Sequence, residues 1–192
     1  SIGRDAYARR AWAIARDSLV AARAAREGDE LEGDDLERLA TAAYLSGENR
    51  VSSEAWAAGH HLRLADGDID GAVRCAFWLA FGLLQRGEGA EGGGWLARAE
   101  QLAADHSVTG VSTGYLLVPK ALHHLDRGDA AEALDVVDEV GSIARRFEDR
   151  DLLVLSVLGR GQALCRLGRS DEGVARFDEA MVRTADLYAA LL

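Results

Sequence analysis

The sequence predicts an all-α chain of consecutive helical hairpins, and three observations carry that reading. A single proline stands in 192 residues rich in Ala, Leu and Arg, a composition of strong helix formers almost free of helix breakers. Glycines recur at near-constant intervals: Gly3, Gly47, Gly87, Gly128 and Gly168 are 44, 40, 41 and 40 residues apart. Small and large residues recur around them at the offsets that let two helices pack closely. No stretch alternates apolar and polar residues as a strand does.

The first element is a lone helix over 4–26, with Ala8, Trp12 and Ala15 at five, nine and twelve residues beyond Gly3. It reads as an N-terminal cap with Arg9, Arg10, Arg16 and Arg23 turned outward, because the end of a repeat array needs a polar outer face. Next comes a hairpin of 34–46 with 50–65. Leu36, Leu39, Ala40 and Ala43 make a helical stripe, Gly47 breaks the helix, and Ser52, Trp56 and Gly59 follow at the same three offsets. A large residue four positions beyond a small one shares its face and fills the gap between helices.

The same register builds three more hairpins. In 69–86 with 90–104, Ala80 precedes Gly87 by seven residues, and Gly92, Leu96 and Ala99 follow it. In 112–127 with 130–147, Ala121 precedes Gly128, and Ala133, Val137, Val140, Ala144 and Phe147 form the packing stripe. In 151–167 with 171–187, Gly161 precedes Gly168, and Gly173, Phe177 and Ala180 follow. Asp34, Asp68 and Asp151 are the polar starters expected to cap helices. Pro119 falls inside the helical run Tyr115 to Leu125. It gives no N–H and clashes with the carbonyl of Tyr115, so a kink is expected there. The whole of 1–192 reads as one repeat domain, and its start at Ser1 reads as a piece of a longer protein.

Charge excludes some functions. With 22 Lys and Arg against 32 Asp and Glu, the formal net charge is −10, so this segment has no general affinity for nucleic-acid phosphates or an anionic membrane. The longest apolar run, Cys75 to Leu84, is shorter than the roughly 18 residues a membrane span needs. Ser1 to Val20 is studded with Arg and Asp, unlike a secretory leader. A cytoplasmic location follows, with Cys75 and Cys165 as reduced packing residues. Two helix layers of about 8–10 Å each separate them, beyond disulfide reach.

Several short motifs resolve into structure. Gly87-Glu88-Gly89-Ala90-Glu91-Gly92 fits G-x-G-x-x-G, but it follows a helix, lacks a strand, and carries two acids that repel pyrophosphate. Asp66-Gly67-Asp68-Ile69-Asp70-Gly71 resembles half a calcium loop, yet its twelfth position is Phe77 where a bidentate Glu is needed. Gly110-Val111-Ser112-Thr113-Gly114 matches a serine elbow without the sheet that elbow requires. His60-His61 and His123-His124 point about 100° apart on a helix, so neither pair chelates one metal, and His106 stands alone. No catalytic constellation, metal site or cofactor is expected.

The small–Gly–small–large–small register resembles the tetratricopeptide repeat, with a period near 40 in place of about 34. That resemblance implies a right-handed α-α superhelix of about four and a half TPR-like hairpins. Four strings, LERLATAAYLSG (36–47), AVRCAFWLAFGLLQRGE (72–88), GYLLVPKALHHLDRGDAAEAL (114–134) and GRGQALCRLGRSDEGVARFDEAM (159–181), resemble the N-terminal helical-repeat region of actinobacterial LuxR-type transcriptional regulators. In that family such a region implies sensing or interaction, with a helix-turn-helix domain further along that this chain does not reach.

The tetratricopeptide register implies that the first helix of each hairpin lines a groove. The positions so placed are Glu37, Thr41 and Tyr44; Arg74, Phe77, Trp78, Phe81 and Gln85; Tyr115, Val118 and Leu122; and Leu155, Leu158, Gln162 and Arg166. The middle of this set suits an apolar small-molecule effector, an amphipathic helix of a protein or peptide partner, or the chain's own following helix. The alternative is that Phe77, Trp78 and Phe81 are core. Chaperone-binding repeats hold a terminal carboxylate with Lys, Asn and Arg; the matching Glu37, Thr41, Trp78, Tyr115 and Pro119 cannot.

The last helix carries Val174, Phe177 and Met181, followed by Leu187, Tyr188, Leu191 and Leu192. An uncovered apolar face there calls for a continuing chain or a second subunit. Two readings result. One is a non-catalytic effector-sensing or interaction module of a bacterial transcriptional regulator. The other is a stand-alone interaction scaffold, homodimeric through its C-terminal helix.

Overall fold

A computed structural model describes residues 2–25 and 31–189, the side chains of 183–189 excepted. Ten helices and no strand occur among the described residues, which makes the chain an all-α repeat of helical hairpins. It divides into two compact units, Ser1–Ser107 and Val108–Leu192.

The first unit holds α1 (Ile2–Ala8), α2 (Trp12–Ala25), α3 (Gly33–Leu45), α4 (Asn49–Ala65), α5 (Ile69–Gln85) and α6 (Gly89–Asp105). The lone helix expected over 4–26 is in fact two. Arg10 takes a left-handed φ of 58°, and the Ala11 N–H reaches back to the Ala6 carbonyl at 3.0 Å, which closes α1. Nothing local predicts the break, because an Arg-Arg pair propagates a helix well. Packing decides it. Tyr7 and Trp12 meet edge to face with centroids 5.4 Å apart, and Ala6, Ala15 and Ala42 form a small buried cluster. Gly3 is therefore a contact glycine and not a turn: a Cβ there would lie 2.8 Å from Leu19 Cγ.

The repeat turns follow one pattern. Gly47, Gly87, Gly128 and Gly168 have φ of 83°, 81°, 86° and 77°. At each the next residue's N–H returns to a carbonyl five residues earlier, as Glu48 to Ala43 at 2.8 Å and Arg169 to Leu164 at 2.9 Å. Only glycine takes such a φ without steric cost. Asp68 caps α5 by accepting the Gly71 N–H at 2.9 Å. Asp34 does not cap α3, whose N-cap is Glu32 without a side-chain bond. Arg16, expected outward, turns inward to Ser46 Oγ at the end of α3, 3.0 Å away. Leu19, Leu31, Leu36, Leu39, Ala40 and Ala55 form the core here, with Trp56 packed against it.

The second unit holds α7 (Ser112–Arg127), α8 (Ala130–Arg146), α9 (Arg150–Arg166) and α10 (Ser170–Ala189). Its hairpins use glycine for close approach. A Cβ on Gly161 would meet Phe177 Cε1 at 2.7 Å, and one on Gly173 would meet the Gly161 carbonyl oxygen at 2.8 Å. The first unit repeats the contact, Gly92 against the Ala80 carbonyl oxygen at 3.1 Å. Ala133, Val137, Val140 and Ala144 are buried as the stripe predicts, but Phe147 is exposed; it is the C-cap of α8, beyond the packed face. Asp149, not Asp151, caps α9. Helix α7 runs on through Pro119.

Candidate functional site

In the first unit the polar groove positions are already engaged. Glu37 on α3 accepts from Arg74 Nη2 on α5 at 2.8 and 2.9 Å and pairs with Arg63 Nη2 on α4 at 2.5 Å. Arg63 also holds Asp34 at 2.8 Å and Asp68 at 2.6 Å. Burial disfavours the Arg63 charge, but Glu37, Asp68 and Asp34 outweigh it and hold its pKa above the ordinary guanidinium range. Burial likewise opposes the charge of Asp68; the Gly71 N–H and Arg63 prevail and hold its carboxyl below the usual range. This network ties three helices together and leaves Glu37 and Arg74 committed within the fold.

The aromatic positions divide by depth. Phe77 is 1% exposed, so it is a core residue and lines no groove. Trp78 and Phe81 are half-buried, and Trp78 stacks on Trp56 of α4 with centroids 6.3 Å apart. Thr41 is half-buried, while Tyr44 and Gln85 are exposed. The sequence reading missed Arg63 and Trp56 as members of these two clusters. Both lie on the second helix of a hairpin, which a first-helix register does not sample; the available signal was Arg63 standing four residues after the small packing position Gly59.

In the second unit α7 and α9 lie side by side. Tyr115 at 1% and Val118 at 9% exposure are packing residues, a correction to their placement in a groove. Leu122 and Leu158 are exposed, as are Gln162 and Arg166, and Leu155 is half-buried. Arg166 Nη1 on α9 donates to the Leu125 carbonyl oxygen on α7 at 3.3 Å, which puts the C-terminal ends of the two helices level. Counting back along both helices pairs Gln162 with Leu122, Leu158 with Val118 and Leu155 with Tyr115 in successive rows. Of these positions Leu122 and Leu158 are exposed and Leu155 is half-buried, with the exposed Gln162 and Arg166 toward the C-terminal end of α9.

The remaining motifs have structural places. Ser112 opens α7 with no exposed surface, which denies it a nucleophile's access. His60 is wholly buried; its Nδ1 bonds the Ala72 carbonyl oxygen at 2.9 Å, and Nε2 accepts from Arg98 Nε at 3.0 Å. The ring is thus neutral and structural. Burial, helped by the nearby Arg98 and His61 charges, lowers its pKa against the raising effect of Ala72. Among the described residues no group of three His, Cys, Asp or Glu side chains is placed to hold a metal, and no helix is long and apolar enough to cross a membrane.

The chain matches no protein-family model and no curated protein. A solved structure, that of the Rap conjugation gene regulator of the plasmid pLS20 in complex with the Phr* peptide, is similar in fold. Its TM-score is 0.72 at 16% sequence identity, over 99% of this chain and 55% of that one. This chain therefore spans about half the length of that regulator. The likeness shows the fold, a tetratricopeptide-like helical repeat.

Proposed function

We propose that the chain is a non-catalytic module that binds a peptide, or an amphipathic segment of a protein, on the paired face of α7 and α9. The observation that carries this is the exposure of Leu122 on α7 and Leu158 on α9, with Leu155 half-buried and Gln162 and Arg166 exposed toward the C-terminal end of α9. Apolar rows offer anchoring pockets, and the guanidinium favours an acidic residue beside them. A likeness in fold to a regulator solved with a peptide supports the reading. The apolar outward face also admits an apolar small-molecule effector, which would use the same rows.

The finer reading is the sensing region of a cytoplasmic LuxR-type regulator, on the four resembling strings given above. Its DNA contacts would lie in another domain, since a net charge of −10 disfavours phosphate binding by this one. An immunoblot of the source cells tests it. A band well above 20.6 kDa supports a larger regulator, and a band at 20.6 kDa removes that reading.

Panning a random-peptide display library on the whole chain tests the binding face. Enriched peptides should combine apolar residues with an acid, and Leu158→Glu or Leu122→Glu should weaken them at least about tenfold, the ~1.4 kcal/mol of one lost anchor. Enrichment that ignores both substitutions defeats the assignment. A second reading, self-association through α10, draws on Val174, Met181 and Val182, which are 53%, 71% and 56% exposed. It predicts a concentration-dependent dimer in sedimentation that Met181→Glu dissolves. Phe177 is not part of that surface, because it is packed against Gly161.

A further inference from the structure

We infer that the outward face of α10 docks a partner α-helix that carries an arginine. It is a different place from the peptide face of α7 and α9. The positions six, ten and thirteen residues beyond a turn glycine fall on one face of the second helix of its hairpin. In α4 they are Ser53, Ala57 and His60, and in α8 they are Leu134, Asp138 and Gly141.

In both of these helices the next helix covers that face. Ser53 Oγ accepts from Arg86 Nη2 at the end of α5, 3.1 Å away, and His60 Nδ1 donates to the Ala72 carbonyl oxygen of α5 at 2.9 Å. Leu134 packs on the cluster of Leu125, Ala133 and Ala163, the last of them from α9. A Cβ on Gly141 would stand 3.2 Å from Ser156 Oγ of α9, and Asp138 pairs with Arg160 of the same helix. The covering element is a helix, and where the face carries an aspartate that helix answers it with an arginine.

In α10 the three positions are Val174, Asp178 and Met181. They repeat the α8 face, with the same aspartate between a branched apolar residue and, here, a methionine. Yet Val174 and Met181 are 53% and 71% exposed, where His60 and Gly141 are buried. Among the described residues Asp178 makes no ion pair, unlike Asp138. The same positions of α6 are Gly93, Ala97 and Glu100, which offer no large apolar side chain. Burial of Val174 and Met181 favours docking of an apolar helix face. The carboxylate between them selects a helix with a cation there. A second α10 fits less well, because antiparallel pairing on this face sets Asp178 against its own copy.

The helix that answers Asp138 supplies the probe. A fluorescein-labelled peptide of residues 149–164, which contains Arg160, is titrated with the whole chain and read by anisotropy. Saturable binding is expected. In the chain, Met181→Glu should weaken it at least about tenfold and Asp178→Arg about fivefold; both positions are exposed. The peptide with Arg160→Asp should bind the unaltered chain as poorly and recover on the Asp178→Arg chain. Absence of saturable binding, affinity indifferent to either chain substitution, or a charge swap that restores nothing overturns the inference. A peptide seated on the α7–α9 face, or in place of the chain's own α9, gives that indifference. A concentration-dependent dimer that excludes the peptide overturns it in favour of self-association.

Discussion

Tyr115 Oη donates a hydrogen bond of 2.8 Å to Oδ1 of Asp149, 34 residues further along the chain. The same oxygen accepts the Leu152 N–H at 2.8 Å as the N-cap of α9. A core side chain of α7 thus holds the residue that starts α9. Tyr115 is 1% exposed, and a buried phenol needs a partner. The relationship sets the spacing of the two helices that carry the proposed peptide face.

Removing either partner should destabilise the second unit unequally. Asp149→Ala loses the cap together with the bond from the phenol, a cost of about 2–3 kcal/mol. Tyr115→Phe leaves the cap intact and costs about 1 kcal/mol. In urea unfolding the double variant should cost less than the two single effects combined, because both act through one oxygen. Strict additivity would show that the bond contributes nothing.

Glycines inside helices should split into two kinds. Gly161→Ala puts a Cβ 2.7 Å from the Phe177 ring and 3.1 Å from the Gly173 carbonyl oxygen. The backbone on one side cannot yield cheaply, so a loss of about 1–3 kcal/mol is expected. Gly93 and Gly94 lie in α6 with nothing within 4 Å of a Cβ. Gly93→Ala and Gly94→Ala should each stabilise by about 0.5–1 kcal/mol. Melting temperatures moving in the same direction at all three sites would refute the distinction.

These contacts mark what a sequence can disclose. The turns at Gly47, Gly87, Gly128 and Gly168 are legible because only glycine takes their φ cheaply, and the same spacing puts Gly92 and Gly173 where helices touch. Arg10 is not legible: a left-handed arginine costs about 1–2 kcal/mol, and only packing around Ala6 and Ala15 makes the chain adopt it. The register names which helix faces a groove, but not how deeply its neighbour covers a side chain. Phe77 and Tyr115 therefore turn out buried where Leu122 and Leu158 do not.

Acid should weaken the first unit through His60. Folding holds this imidazole neutral, with a pKa below its ordinary 6.5, while the unfolded chain protonates near 6.5. The unfolded state then binds more protons below that value, so stability is fully present above pH ~6.5 and declines as pH falls through it. Protonation would also set a cation against Arg98, whose Nε now donates to Nε2 at 3.0 Å. The urea midpoint should drop between pH 7.5 and 5.5, and His60→Gln should flatten that slope at some cost in stability at pH 7.5. An unchanged slope in the variant would place the titration elsewhere.

The thiol of Cys75 should be inert until the first unit unfolds. Burial, reinforced by the negative Glu37 with its Oε1 3.8 Å from Sγ, pushes its pKa up to about 12 despite Arg63 and Arg74. The thiolate is the reactive form, so at pH 8 only about one molecule in ten thousand carries it. The side chain has no exposed surface as well. Iodoacetamide at pH 8 should leave Cys75 unmodified in the native chain and label it in urea. Its labelling rate across a urea series should then follow the unfolding of the first unit, read at the same time from Trp56 and Trp78 fluorescence. Rapid native labelling at Cys75 would mean that α3, α4 and α5 part far more often than the Glu37–Arg63–Arg74 network permits.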